Sequence, residues 1–180
     1  MQVRDTGLGF GVVTMILHWT GAVLIIGYLA LDIISAVTGD AGLALIHISL
    51  GMLVFPLFAF RLFWRLRHYH PLPLGAVSPI EVLIGRGVAL GLLLAGVLLP
   101  LIEWIMVSSA GGVVGFFGLI ALPSLLGQDA TTARFAGFLH WFGTYALGLG
   151  IGLHIFAALK HHFVLRDDTL KRMLGKHVEL

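Results

Sequence analysis

The sequence predicts an all-α membrane protein, a bundle of four transmembrane helices. Three observations carry that expectation. Of its 180 residues 58% are hydrophobic and only 11% charged, against roughly 25% charged in an ordinary soluble domain, and the mean hydropathy is +1.00. The apolar residues are gathered into four runs, each long enough to cross about 30 Å of hydrocarbon. Nearly all the basic residues fall at one end of those runs.

The first run is GVVTMILHWTGAVLIIGYLALDIISAV, residues 11–37, too long for the apolar stretch of a cleaved signal and followed by no small-residue cleavage site. After a turn at Thr38-Gly39-Asp40 comes the second, residues 41–64; the third spans 79–106 and the fourth 135–163. All four should be helical, because lipid offers no partner to an unpaired peptide group. Pro56 and Pro100 lie inside spans, where neighbouring helices tolerate a kink. The stretch 111–127 is apolar but broken by Gly and Pro, and is expected to be an interfacial or re-entrant cap. Residues 1–180 thus read as one integral-membrane domain with no room for a separate soluble one.

With four spans, Arg4, Arg61, Arg65, Arg67, Arg86, Lys160, Arg166, Lys171, Arg172 and Lys176 lie at one end and only Arg134 at the other. Positive residues stay inside, so both termini are expected in the cytoplasm. The net charge of +2 then serves to hold helix ends at anionic lipid, and no nucleic-acid partner is expected. Cysteine is absent, which excludes disulfides, iron–sulfur clusters and covalently attached c-type haem.

The fourth run raises the chemical question, for FLHWFGTYALGLGIGLHIF carries His140 and His154 in an otherwise lipid-compatible stretch. Fourteen residues return a helix to within about 40° of the same face, about 21 Å further along. The two imidazoles therefore share one stripe near opposite ends of the span. His18 and His47 lie about 10 Å deep, from the inner and the outer end of their spans respectively. Four histidines thus sort into two level pairs, His18 with His154 and His47 with His140. A single intramembrane imidazole is most simply bonded to a backbone carbonyl; four in matched layers point to ligation.

Zinc or another non-haem metal wants three or four ligands around one point, often with carboxylate or thiolate, whereas these histidines come two per layer. Haem iron takes two axial ligands, so the pattern favours two bis-His b haems. Gly51 and Gly21 follow His47 and His18 by four and three residues, and Gly143 and Gly150 flank the His140–His154 stripe; a residue without a side chain lets a flat macrocycle approach the backbone. Small-residue packing between membrane helices is the plainer account of each glycine alone.

The chain resembles the bacterial four-helix cytochrome b561 family over nearly its whole length. The resemblance rests on LHW (17–19), IHISLG (46–51), FRLFWRLRH (60–68), LHW (139–141), GLHIFAALKHH (152–162) and DDTLKRM (167–173). It implies two non-covalent b haems, electron exchange with quinone or quinol, and a multi-pass protein of the bacterial inner membrane. One branch of the family oxidises superoxide at the outer face and passes the electron to ubiquinone, so superoxide or a periplasmic redox protein is an expected donor. A haem subunit of a larger dehydrogenase or hydrogenase is the main alternative, and a His-lined proton channel or transporter a lesser one.

Further residues take expectations from position. Arg61 lies fourteen after His47, on the same face but at the inner end, where it would pair with haem propionates. His161, seven after His154, and Arg86 are candidates to meet a quinone. The outer side offers Asp40, Asp129 and Glu103 against Arg134, a poor funnel for an anion. Asp32 and Glu103 read as proton or surface groups near the outer helix ends, for which snorkelling to water is account enough. No catalytic residue is assigned.

Overall fold

Gly39 and Asp40 make the first turn of the chain a tight one. Gly39 takes the left-handed conformation (φ 67°) and donates its N–H to Ser35 O, closing α1 (Val12–Thr38). The Asp40 carboxylate then accepts from the N–H groups of Gly42 and Leu43 and opens α2 (Ala41–Arg67); both caps meet backbone groups that a helix end leaves bare. With two residues between them, α1 and α2 must run antiparallel side by side. The computed structural model describes residues 2–68, 71–74 and 78–176.

Ser78 accepts from Glu81 N, and with Pro79 in the first turn it starts α3 (Pro79–Ser109). Asp129 accepts from Thr132 N and starts α4 (Ala130–Leu159), which runs on as a π-helical turn over Lys160–Leu165. A last short helix, α5, covers Thr169–Met173. These four long helices are each apolar and long enough to cross a membrane. The fourth begins five residues before the expected Phe135, because Asp129 supplies the cap. The third continues three residues beyond Met106, a difference that matters below.

The 111–127 segment, expected to cap the bundle, contains a two-stranded hairpin, β1 (Gly115–Phe116) against β2 (Ile120–Ala121). It is pinned to the helices by side chains. Ser49 of α2 donates to Gly115 O and accepts from Phe117 N, and Trp104 of α3 donates its indole N–H to Pro123 O.

The buried core is a narrow column of Ile25, Tyr28, Val54, Phe58, Leu93, Leu99 and Leu147. Large apolar side chains such as Val23, Val37, Leu83 and Leu149 are exposed on the outside, as a lipid-facing surface requires. With lipid as apolar as leucine, helix association relies on close packing, and Gly96 shows how: a Cβ there would run into the Phe58 ring. The pairs α1–α2, α2–α3 and α3–α4 pack along their lengths, whereas α1 and α4 touch sparsely. That open seam is the one His18 and His154 face from opposite sides.

Candidate cofactor sites

The four span histidines meet as two pairs. The ring centres of His18 (α1) and His154 (α4) are 5.9 Å apart, and those of His47 (α2) and His140 (α4) 6.0 Å apart. Two imidazoles on opposite sides of one metal ion, each bond about 2 Å long, place their ring centres about 6 Å apart. By spacing alone both pairs suit an axially ligated iron; their surroundings differ.

The pair at the basic end opens into a cavity of about 370 Å³ lined by His18, His154, Arg61, Arg86, His161 and Leu93 among others. This is within the size range of cofactor pockets, and it brings His161 and Arg86 into the same space as the ligand pair. Arg61 Nη2 donates to His18 Nδ1 at 2.7 Å. A guanidinium only donates, so a neutral His18 holds its proton on Nε2. Ligation through Nε2 therefore requires Arg61 to leave His18, which frees its charge for an acidic group of whatever occupies the cavity.

The DDTLKRM stretch builds the floor of this cavity. Asp167 pairs with His161 Nδ1 at 2.6 Å and accepts from Thr169 N. Arg172, 4% exposed, donates to Leu72 O, and Trp19 of α1 donates to Met173 O. Burial acts to raise the Asp167 carboxyl, but the hydrogen bonds from His161 and Thr169 outweigh it and hold it below the ordinary carboxylate range. A depressed acid lends stability that is complete above its unfolded value of about 3.9 and is lost as pH falls through the folded value. The melting temperature of the wild type in detergent should therefore fall more steeply than that of Asp167→Asn below about pH 4. Parallel curves would remove Asp167 from the account of this floor.

The pair at the far end sits among acids and a phenol. His47 is 3% exposed, and its Nδ1–H donates to Tyr28 O at 2.9 Å. Tyr28 stacks on the His47 ring at 4.2 Å between centres, donates to Glu103 Oε2 at 3.2 Å, and lies 3.4 Å from His140 Nε2. Glu103 Oε1 is 3.1 Å and Asp32 Oδ1 3.9 Å from His47 Nε2. Thr144 holds the other Asp32 oxygen at 2.9 Å.

Here the sequence reading needs correction. Glu103, expected to snorkel to the outer surface, is 3% exposed and reaches His47; since α3 extends to Ser109, it lies six residues inside the helix rather than at its mouth. Asp32 turns toward the same ring. Tyr28 carries no expectation from the sequence, and its position four residues before Asp32, on one helix face, is the signal that could have found it. The glycines pack against side chains of neighbouring helices. A Cβ at Gly51 would meet Tyr28 at 3.1 Å and Glu103 at 3.4 Å, one at Gly143 would strike Leu99, and one at Gly150 would meet Leu92 at 3.1 Å. At Gly21 the neighbours are Arg61 and Phe58.

The model of the family described as prokaryotic cytochrome b561 matches residues 9–176. This chain belongs to the prokaryotic cytochrome b561 family. As a member, it is a membrane electron-transfer cytochrome of the b type. Cytochrome b561 homolog 2 of Escherichia coli (strain K12) is 33% identical over 181 residues, covering 98% of this chain and 96% of that one. The probable superoxide oxidase CybB of Yersinia pestis is 31% identical over 132 residues, 73% of this chain and 74% of that protein.

Proposed function

We propose that this cytochrome holds a b haem between His18 and His154 and exchanges electrons with a quinone in the same cavity. The observation that carries the reading is the cavity at the basic end, where the ligand pair, Arg61, His161 and Arg86 share one opening. Haem, when bound, supplies a one-electron couple; the residues supply what surrounds it. His18 and His154 would hold the iron. Arg61 would turn from His18 to pair with the acidic groups of the haem, where charge-assisted hydrogen bonds are strongest. His161, oriented by Asp167, and Arg86 present hydrogen-bond donors to a quinone oxygen, and His161 is the group able to pass a proton. Leu93 and Ala89 keep the wall apolar.

The concentration of Lys and Arg at this end supports a cytoplasmic position for it and for both termini, in a bacterial inner membrane. The superoxide activity in the name of the Yersinia relative stays with that relative: Glu103 is buried, and Asp40 and Asp129 face a single Arg134 across the far side, so an anionic donor gains no steering. The second haem expected between His47 and His140 has the ring spacing in its favour and Glu103 with Tyr28 in its way. Chain purified from membranes should give a b-type pyridine haemochrome and be reduced anaerobically by a quinol. A well-folded chain without haem would defeat the reading.

A further inference from the structure

We infer that a membrane-dissolved quinone enters the basic-end cavity sideways, through a portal between the basic ends of α3 and α4 whose threshold is Gly85; this rests on the reading of that cavity as the quinone site. A covered end and a thin flank lead to it.

The cover is built from three stretches outside the spans. Residues 2–11 fold back on the start of α1: Val12 N donates to Gln2 O, and the Asp5 carboxylate accepts from Gly11 N at 2.6 Å and from the Thr14 hydroxyl at 2.9 Å. A Cβ on Gly11 would strike the backbone of Val3 and Arg4, so this fold-back is tightly packed. Leu72 ties the stretches together. Its N–H donates to Gly7 O at 3.1 Å, and its carbonyl accepts from Arg172 of α5 at 2.7 Å. Asp5, Phe10, Leu72 and Met173 line the cavity from this side, and a ligand arriving from water would have to part their contacts.

The flank is α3. Among the described helix residues that line the cavity, only Glu81, Gly85 and Arg86 are exposed, all near the start of that helix. Glu81 meets Lys160 of α4 at 3.0 Å, which turns this face of α3 toward α4. Gly85 stands one turn further in on the same face, and a Cβ there would find nothing within 4 Å. Ala89 on α3 and Ala158 on α4 keep the lining small behind it. Ala158 is four residues from His154 and three from His161, so the opening gives directly onto the haem-ligand pair and the quinone contact. The sparse α1–α4 seam is the place of the haem that His18 and His154 would hold, which leaves the α3–α4 side for entry.

Depth decides what passes. The midpoint of α3 falls at Leu94, and Gly85 lies about 13.5 Å along the axis from it, just inside half of the roughly 30 Å of hydrocarbon. Glu81, about 19.5 Å from the midpoint, lies among the headgroups, where its ion pair with Lys160 stays hydrated. A quinone carries its two oxygens on a ring at the end of an apolar tail. A portal at this depth admits the ring while the tail stays in lipid.

The test uses the absence of cysteine from the chain: Gly85→Cys places a single thiol at the threshold, in open space that lets the chain fold as the wild type does. Gly87→Cys is the control, for it too has nothing within 4 Å but lies on the other side of α3, outside the cavity lining. Each haem-loaded variant is reconstituted in liposomes with a polyprenyl quinol, and anaerobic haem reduction is timed before and after reaction with lipid-soluble pyrene maleimide. The bulky adduct on Gly85→Cys should slow reduction at least tenfold, with haem content and the spectrum reduced by dithionite unchanged. The same adduct on Gly87→Cys should change the rate by less than about twofold. Reduction at the unlabelled rate in fully labelled Gly85→Cys would overturn the portal and leave the proposed function standing. Equal slowing in both labelled variants would also overturn it. A quinol that fails to reduce even the wild type would defeat the proposed function and the portal together.

Discussion

His18→Ala and His154→Ala should each give a folded chain that has lost the b-type absorption of the haem held between them. Both side chains face the sparse α1–α4 seam and a cavity already present, so the truncation removes a ligand without opening a packed core. One of the two histidines that would hold the haem is missing in each variant, so the haem should be lost in detergent. Haem at this pair should fall at least tenfold, with helix content and elution volume unchanged. The sharper control is Arg61→Met: Arg61 bonds His18 in the cofactor-free arrangement, yet it is no ligand, so that variant should retain haem with its potential shifted, most of the propionate charge being left unpaired. Full haem content in His18→Ala would place the iron elsewhere.

The second large effect is on the fold. Gly96→Val should destabilise the bundle by about 2–3 kcal/mol or more, because its first carbon meets the ring of Phe58, itself 2% exposed with no space to retreat. Gly91, five residues earlier on α3, has open space within 4 Å of where an alanine methyl would sit; Gly91→Ala should be neutral, or more stable by up to about 1 kcal/mol. Denaturant titration in mixed micelles separates the two. Equal effects would mean that α2 and α3 are not held at the distance Phe58 sets.

How far the sequence could be read depended on whether a feature was written along one helix or between helices. The spans were legible because hydropathy is a local property, and so were the turn at Gly39-Asp40 and the level pairing of the histidines, which needs only helical rise and antiparallel order. His161 joining the cavity of His18 and His154 also followed from depth. What the sequence did not show was the burial of Glu103 and the direction of Asp32 in the far-end layer. Placing the end of α3 at 106 rather than Ser109 put Glu103 at the water's edge, and a three-residue error there amounts to about 4.5 Å of depth. The direction in which Asp32 and Tyr28 point depends on how α1 rotates against α2, which no single helix encodes. What neighbours the glycines is likewise set between helices: Leu99 packs at Gly143, and Tyr28 and Glu103 at Gly51.

The most direct measurement of the central claim is rapid anaerobic mixing of oxidised cytochrome with a quinol, followed at the haem band, in the wild type and in His161→Leu and Arg86→Leu. If electrons pass between quinone and the His18–His154 haem in their shared cavity, both variants should slow reduction at least tenfold while haem content stays at the wild-type level. Reduction at the wild-type rate in both variants would contradict it and place the quinone outside this cavity.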